Sequence, residues 1–399
     1  MDIRRDSQVQ LTPLVIHRQK KNIIIEDVRM KEYYEMSPAA ADAIEAIQAA
    51  RQLGEIEEEL KQRYPDEEID IIQFVSDLIE LGMVIQLDGR MLQPEPEHTE
   101  IQHHQRKEIP IFHKLGCFLF RTPFILIYPV ALIYSVWMVL TRPQYGPEFH
   151  SMHLVDTMTL NVLIWAGLSL FLLALHEFSH FLAARAFRVP ARYDFGHRYF
   201  FLVLETQLTE IWKLEPRKRI IPYLAGMMND SVMFALSITL RILFPEMNDV
   251  LYGILELATF YLTIMLVFQT CVFMKTDLYY VIESLSGHLN LQERAVQWMK
   301  GLFLRRDREK EPAFVKFFAF IYTAGIGLVA WFFVNRGYPQ FLHFIDHATD
   351  HLSYPITHFF FWDGLLFIAV NSLSLALLFY SWYRQLMEYL RSRSSEAAG

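Results

Sequence analysis

The segment LALHEFSHFLAARAF, residues 173–187, contains the residues with the clearest capacity for chemistry. His176 and His180 are four residues apart, so on a helix both imidazoles project from one face and can bind one metal ion. Glu177 lies beside them and could accept a proton from a water molecule, as in zinc peptidases with this spacing. The pattern therefore predicts a Zn2+ site with Glu177 as the general base.

The surroundings of this segment favour a metal site over the alternative, a pair of structural core histidines. The segment lies in a run that is apolar enough to cross a membrane. An ionisable side chain in such a run costs on the order of 3 kcal/mol unless it faces a polar cavity or a metal. We therefore expect His176 and His180 to face the interior of a helix bundle.

A catalytic zinc needs a third protein ligand and one open coordination position. Asp277, in VFMKTDLYYVIESL, follows a predicted span at its cytosolic end, which is the depth predicted for His176 and His180. We predict Asp277 as the third ligand, with Asp230 on the preceding span as the alternative. Asn229 could hydrogen-bond the substrate or a developing oxyanion, or equally join two helices.

The composition indicates a membrane protein, because 53% of the 399 residues are hydrophobic and only 21% are charged. We predict a polytopic α-helical protein with about six transmembrane helices. The predicted spans are residues 118–140, 158–187, 219–244, 250–274, 312–334 and 358–383. Two ionisable residues near the outer ends of the third and fourth spans, Arg241 and Glu256, are expected to pair.

The distribution of Lys and Arg predicts the orientation of these spans. Eight lie in residues 185–219 and seven in residues 275–310, whereas the loop after the first span has only Arg142. Both termini and the two Lys- and Arg-rich loops are therefore expected in the cytosol. The N-terminus lacks the apolar core of a secretory signal, so we expect no targeting peptide to be removed.

The first hundred residues differ from the rest in charge, with 11 Lys and Arg against 22 Asp and Glu. This acidic character and the absence of a basic stripe argue against a nucleic-acid partner. We predict an N-terminal domain at 1–93, a linker at 94–116 that contains most of the Pro-rich QPEPEHTEIQHHQRKEIP, and a membrane domain at 117–399.

Local patterns predict an α+β winged-helix domain at the N-terminus. TPLVIHRQ and NIIIEDV have the composition of strands, and MVIQL predicts part of a closing hairpin. Ser37 followed by Pro38 predicts the start of a helix, and Gly82 predicts the end of a later one. Three helices and these strands complete the outline.

Residues 10–92 resemble the small peptide-chaperone domain of the pyrroloquinoline-quinone D (PqqD) type. The resemblance is carried by YEMSPAAADAIEAI, EIEEELKQRYP and FVSDLIELGMVIQLDG. It implies that this domain binds the leader segment of a ribosomally made peptide by adding it as a strand to an open sheet edge. A winged helix that binds another protein or DNA is the alternative, and the acidic charge disfavours DNA.

Residues 118–300 resemble the site-2-protease family of intramembrane zinc metallopeptidases, in its peptide zinc metalloprotease branch. HEFSH, YLAGMMND and DLYYVIESLSGHLNLQERA match its motifs. The resemblance implies His176, His180 and Asp277 as ligands and Glu177 as the general base. Leu278 and Met227 replace a usual Gly and Pro, and the Asn and Pro that usually precede the aspartate are missing.

The resulting hypothesis is a zinc metalloendopeptidase of the bacterial cell membrane that cleaves a ribosomally synthesised, post-translationally modified peptide (RiPP) precursor on the cytosolic side. Its expected partners are the precursor leader, membrane lipid, and a peptide-modifying enzyme and exporter. Two alternatives share much of the sequence evidence. One is regulated intramembrane proteolysis of a membrane-anchored regulator, and the other is a non-catalytic peptide transport or immunity subunit.

Overall fold

The structure is a computed structural model that describes residues 3–19, 23–30, 32–92, 110–121, 123–148, 154–198, 201–304 and 311–396. It contains a small N-terminal domain of strands and helices, followed by a long helical region. Residues 93–109, which cover most of the predicted linker, lie outside the described part of the chain.

The described strands of the N-terminal domain form two three-stranded antiparallel sheets, ordered β1-β5-β6 and β2-β3-β4. The sequence predicted β2 and β3 but missed β1 and β4, which are short and lack a long alternating pattern. The strands are β1 (Val9–Leu11), β2 (Leu14–Arg18), β3 (Ile23–Asp27), β4 (Glu32–Met36), β5 (Val84–Leu87) and β6 (Arg90–Met91).

The domain has three helices: α1 (Pro38–Gln48), α2 (Leu53–Arg63) and α3 (Ile71–Glu80). Helices α1 and α3 contribute to the core against the β2-β3-β4 sheet, and α2 packs on α1 and α3. The side chain of Ser37 accepts a hydrogen bond from Ala40 N, which confirms the predicted start of α1. Gly82 has a φ of 72°, a left-handed conformation that favours glycine, directly after α3. Ile25, Ile44 and Leu78 are buried in the core between sheet and helices.

The helical region contains ten helices and one hairpin among the described residues. The hairpin consists of β7 (Arg192–Arg198) and β8 (Phe201–Gln207), which pair antiparallel. The helices are α4 (Pro110–Arg121), α5 (Ile127–Thr141), α6 (Met158–Ala186), α7 (Pro216–Leu243), α8 (Asp249–Phe268), α9 (Asp277–Ser286), α10 (Leu291–Leu304), α11 (Ala313–Phe332), α12 (Tyr338–Leu352) and α13 (Phe359–Glu396).

Five helical segments in the described part of the chain are long and apolar enough to cross a membrane. The third predicted span corresponds to α7, which has 28 residues but five charged ones and is less apolar than the others. It packs against α5, α6, α8 and α9, and its buried Asp230 and Arg241 contact side chains of α6 and α8. The five segments are Pro123–Thr141, Met158–Ala186, Asp249–Phe268, Ala313–Leu352 and Phe359–Arg384.

The predicted linker extends too far toward the C-terminus, because residues 110–116 form the first part of α4. This helix packs directly on α6: a Cβ atom at Gly116 would lie 2.2 Å from the carbonyl oxygen of Leu182. The close approach of the two backbones explains why a glycine occurs there. The Pro and charge content of the preceding residues hid this helix from the sequence prediction.

Two buried charged residues hold helix ends together. Arg241, 1% exposed, forms an ion pair with Glu256 at 3.1 Å, which confirms the predicted pairing of α7 with α8. Asp363 on α13 accepts hydrogen bonds from Met158 N at 2.8 Å and Thr159 N at 3.0 Å. Asp363 thus caps the first turn of α6, the helix that carries the His-Glu-x-x-His segment.

Candidate metal centre

Three potential ligand atoms from α6 and α9 form a nearly equilateral triangle. His176 Nε2 lies 3.2 Å from His180 Nε2 and 3.2 Å from Asp277 Oδ2. His180 Nε2 lies 3.3 Å from Asp277 Oδ2. Among the described residues, this is the one group of three or more His, Cys, Asp or Glu side chains placed to hold a metal ion.

The size of the triangle fits a zinc ion. With zinc–ligand bonds of about 2.0–2.1 Å, the ligand atoms of a tetrahedral site lie about 3.3–3.4 Å apart. The three measured separations are therefore close to one face of such a tetrahedron. The fourth corner is left to a water molecule or a substrate atom, as catalysis requires.

The second nitrogen of each histidine is held by a hydrogen-bond acceptor. His176 Nδ1 lies 2.7 Å from Asp230 Oδ2, and His180 Nδ1 lies 2.7 Å from the carbonyl oxygen of Pro222. A carboxylate and a carbonyl only accept, so each Nδ1 carries the hydrogen and each Nε2 presents its lone pair. This arrangement orients metal-binding histidines and raises their basicity.

Gly226 on α7 makes room for the ring of His176. A Cβ atom at Gly226 would lie 2.3 Å from Nε2 and 2.4 Å from Cε1 of His176. Because real Cβ atoms do not approach other atoms so closely, any larger residue would push the imidazole away. The Ala-Gly pair of the YLAGMMND motif thus has a direct steric role beside the candidate ligand.

Asp277 is held in place by Gln269, which follows the last residue of α8. Gln269 Nε2 donates to Asp277 Oδ2 at 2.9 Å, and its Oε1 accepts from Asp277 N at 3.0 Å. Between them, Lys275 has a φ of 54°, and this left-handed residue turns the chain into α9. Gln269 thus contributes an amide that orients both the side chain and the backbone of Asp277.

Glu177 lies next to the triangle and is bound by β8. Its Oε2 accepts hydrogen bonds from Thr206 N at 2.7 Å and Thr206 Oγ1 at 2.8 Å. The same hydroxyl lies 3.0 Å from the carbonyl oxygen of Glu177. Glu177 is 8% exposed, so the hairpin determines the position of the carboxylate and leaves Oε1 to other partners.

The electrostatics of the cluster favour a cation. Asp230 and Asp277 both contact His176, Glu177 follows His176 in the sequence, and Asp230 is completely buried. The hydrogen-bond partners of these carboxylates among the described residues are His, Thr and Gln side chains and backbone N–H groups, none with a permanent positive charge. Buried carboxylates are costly without a compensating charge, which a divalent ion would supply.

Asp277 lies just beyond the candidate span of α8, and its ionisation suits metal binding. Burial raises the pKa of the Asp277 carboxyl, but His180, and then His176, outweigh this effect whenever these imidazoles are protonated and no metal is bound between them. The pKa of Asp277 is therefore held well below its usual range, and the group is a carboxylate at neutral pH.

A cavity of about 250 Å³ opens beside two of the three ligand residues, His180 and Asp277. One wall presents the stacked rings of Tyr223 and Tyr280, whose centroids are 5.3 Å apart. This wall and the neighbouring apolar groups could bind large apolar side chains of an extended peptide. The cavity is lined by Glu177, His180, Thr206, Gln207, Leu208, Ile211, Trp212, Tyr223, Asp277 and Tyr280.

The structure brings His176, Glu177, His180 and Asp277 together and separates the two predicted candidates for the third ligand. Asp230 contacts the far nitrogen of His176 and lies behind it, so the alternative role of Asp230 as a direct ligand is not supported by this geometry. Asn229 does not line the cavity, and its buried Nδ2 has no hydrogen-bond partner among the described residues.

Sequence reasoning missed three residues of the site. Gly226, Thr206 and Gln269 are separated from their partners by 50, 29 and 8 positions, and none belongs to a residue type that alone indicates a metal site. For Gln269, its place just before Asp277 was the available signal. For Gly226, the available signal was its place in YLAGMMND, whereas the role of Thr206 is visible only in tertiary contacts.

The fold and the site together define a chain with a small α/β domain, five candidate membrane spans and a buried His-His-Asp cluster. Residues 22–84 match the family model of coenzyme PQQ synthesis protein D (PqqD). Comparisons with curated proteins and with solved structures gave no match. The N-terminal domain is thus PqqD-like, as its sequence predicted, and this match covers the N-terminal domain alone.

Proposed function

We propose that the protein is a membrane-embedded zinc metalloprotease that binds and cleaves a RiPP precursor on the cytosolic side. The observation that carries this proposal is the triangle of His176, His180 and Asp277, with edges of 3.2, 3.2 and 3.3 Å. The His-Glu-x-x-His spacing of the site-2-protease family supports the same conclusion from the sequence.

Zinc bound at the triangle would act as a Lewis acid, polarising a peptide carbonyl and making a water molecule nucleophilic near neutral pH. Glu177 accepts the proton of the attacking water and returns it to the leaving amine. Thr206 holds Glu177 in place for these transfers. Asp230 and the Pro222 carbonyl keep the histidines in the tautomer that binds metal.

The N-terminal domain selects the substrate. A PqqD-like domain suggests binding of a precursor peptide, and the chain joins such a domain to a candidate peptidase site. The leader segment would add as a strand to an open sheet edge of this domain. A modifying enzyme and an exporter are the other expected partners, because a modified precursor must be made before cleavage and its product must leave the cell.

The five apolar helices support a membrane location, with the lipid bilayer as a further partner. The distribution of Lys and Arg supports cytosolic termini and a site near the cytosolic surface. A site at that depth admits water and an unfolded peptide but excludes folded proteins. The bacterial cell membrane is the expected location.

The proposal is tested with purified full-length protein in lipid nanodiscs and the precursor encoded beside its gene. Mass spectrometry is expected to show two complementary fragments, which disappear on chelation and return when zinc is added. Glu177→Gln should bind zinc but yield no fragments, whereas Glu246→Gln, in an exposed loop, should cleave normally. Cleavage by Glu177→Gln at the wild-type rate would exclude the proposed mechanism.

The same preparation separates the alternatives. Cleavage of a single-span membrane protein without cleavage of the precursor would instead indicate regulated intramembrane proteolysis. Zinc binding without cleavage of either substrate would indicate a non-catalytic subunit.

A further inference from the structure

The N-terminal domain contacts the helical region through one face of the β2-β3-β4 sheet. Side chains alternate along these strands, and Ile16, Ile25 and Tyr34 pack into the core of the domain. Ile24 projects to the opposite face, yet it is 2% exposed. That second face carries His17, Ile24, Glu26, Tyr33 and Glu35.

Polar contacts join this face to the segment between the hairpin and α7. Glu26 Oε1 lies 2.8 Å from Lys213 Nζ. Gln19, directly after β2, donates from Nε2 to the carbonyl oxygen of Trp212 at 2.8 Å. Its Oε1 accepts from Arg219 NH2, also at 2.8 Å. We call these residues of the two domains the docking interface.

Arg219 is the most buried part of the docking interface, with 2% of its surface exposed. Its guanidinium lies 4.6 Å from the ring centroid of Trp212 and donates to the carbonyl oxygens of Leu214 and Trp212. A buried guanidinium needs an acceptor for each donor, and Gln19 supplies one from the other domain. The two domains thus complete one hydrogen-bond network.

The charges at the interface are complementary. Burial raises the pKa of Glu26, but hydrogen bonds from Lys213 and His17 outweigh it and leave the pKa below its ordinary value. Burial lowers the pKa of Lys213, but hydrogen bonds to Glu26 and Glu210 leave it raised. Each group therefore favours the charged form of the other.

The helical side of the docking interface also forms a wall of the cavity beside the candidate metal centre. Trp212 and its neighbour Ile211 line this cavity together with Glu177, His180 and Asp277. Trp212 thus contacts Gln19 through its carbonyl and Arg219 through its ring while it lines the cavity. The sheet is docked on the same short segment that bounds the cavity.

We propose that the docking interface transfers a peptide from the PqqD-like domain to the metal site. This inference rests on the proposed function and adds how the two parts of the chain cooperate on one extended peptide. One face of the β2-β3-β4 sheet packs on α-helices. The other packs on residues 208–215, which we call the Trp212 segment, so a peptide can pair only at a strand edge. The part of the peptide that follows the leader then lies beside the cavity wall.

The leader binds to the N-terminal domain first, and docking then makes the binding of the cleavage site at the metal centre an intramolecular step. A substrate held by its leader is presented to the site at an effective concentration far above that in solution. Loss of the docking interface leaves leader binding and the metal site intact but removes this advantage. The docking interface therefore affects KM of leader-bearing substrates selectively.

The first test compares wild-type protein with Lys213→Glu, which places a second carboxylate against Glu26. Lys218→Glu is the matched control, since Lys218 pairs with Glu215 in its own segment and has an exposed side chain. The full precursor and a leaderless fragment that contains the cleavage site are the two substrates.

For Lys213→Glu we expect KM of the full precursor to rise about tenfold or more, with kcat and the kcat/KM of the leaderless fragment unchanged. The affinity for a fluorescent leader peptide should also be unchanged. An equal effect on both substrates, or no effect on either, would overturn the transfer role.

A second test does not depend on activity. Glu26→Cys and Lys213→Cys are combined after Cys117 and Cys271 are replaced by Ser, and the protein in nanodiscs is treated with a short bismaleimide. This reagent joins two thiols across the length of the original Glu26 and Lys213 side chains, which is too long for a direct disulfide. Mass spectrometry should find the cross-linked peptides in the double variant and not when Lys218→Cys replaces Lys213→Cys. Failure to form this link would refute docking, whereas a formed link with no cleavage of any peptide would refute the protease function alone.

Discussion

His176 Nδ1 donates a hydrogen bond to Asp230 Oδ2 over 2.7 Å, which directs its Nε2 toward His180 and Asp277. Because Asp230 and His176 belong to different helices, this bond joins α7 to α6 at the candidate metal centre. It gives Asp230 an orienting role in the second coordination layer, and it leaves the third ligand position to Asp277.

Asp230→Asn removes the negative charge but keeps the size of the side chain. The amide can donate to His176 Nδ1 and stabilise the wrong tautomer, so we expect zinc affinity to fall about 10–100-fold, in line with other second-layer changes. Competition with a fluorescent zinc chelator measures this. Asp249→Asn, at the exposed start of α8, is the control, and equal affinities in the two variants would contradict the orienting role.

Gly226→Ala should displace the ring of His176, because the added methyl would lie 2.3 Å from Nε2. We expect loss of most bound zinc and of peptide cleavage. Gly327→Ala in α11 is the matched control, since a Cβ there would meet no atom within 4 Å. Bound zinc is measured by mass spectrometry of the metal, and normal zinc content in Gly226→Ala would show that the steric argument is wrong.

Thr206→Val removes the hydroxyl that holds Glu177 but keeps the backbone N–H donor. We expect kcat for the precursor to fall about tenfold, because a mobile carboxylate is a poorer proton acceptor, while zinc content stays constant. Thr206→Ser retains the hydroxyl and should keep most of the activity. If Thr206→Val and Thr206→Ser have the same kcat, the hairpin does not position the base.

Gln269→Leu keeps the approximate size of the side chain but loses both hydrogen bonds to Asp277. We expect weaker zinc binding, because the carboxylate and the first turn of α9 are no longer aligned with the histidines. Isothermal titration of zinc into the metal-free protein measures the affinity. Gln269→Glu tests the backbone contact separately, since its carboxylate can still accept from Asp277 N but cannot donate to Oδ2.

The docking interface should resist changes of pH around neutrality. The lowered pKa of Glu26 makes its stabilising contribution complete above the ordinary value of 4.5, and this contribution is lost as pH falls through the lowered pKa. The raised pKa of Lys213 makes its contribution complete below 10.5, and it is lost as pH rises through the raised pKa.

Thiol cross-linking is itself pH-dependent, so the pH profile is measured by hydrogen exchange of the Trp212 segment. In His17→Gln, which removes the imidazole that contacts Glu26 Oε2 at 2.8 Å, protection of backbone amides there should be constant between pH 4.5 and 10.5 after correction for intrinsic exchange. Adding Lys213→Glu to this variant should lower the protection over the same range. A change in the protection of His17→Gln near neutral pH would contradict the ion pair as described.

The sequence predicted the site residues that follow from helical spacing or from a shared predicted depth in the membrane. His176, Glu177 and His180 follow from helical spacing, and Asp277 follows from its position at the same predicted depth. Arg241 and Glu256 were paired by the same reasoning about span ends. In each case the chain direction through the membrane limited the number of partners that could meet.

The remaining parts depend on contacts that no local pattern contains. Asp363 had no explanation in the sequence, because its role is to cap α6 from a distance of about 200 positions. The docking interface likewise joins Gln19 to Arg219, and Lys and Arg counts placed Arg219 in a cytosolic loop without indicating its burial. Strand β1 has only three residues, and two glutamates in the five residues of β4 obscure its strand pattern.

The most direct test of the central claim is the zinc content of purified full-length protein, determined together with protein concentration by amino-acid analysis. We predict about one zinc per chain in the wild type and in Glu177→Gln, and almost none in Asp277→Ala, because that substitution removes one of the three ligands. Equal zinc content in Asp277→Ala and in the wild type would contradict the assignment of His176, His180 and Asp277 as the metal centre.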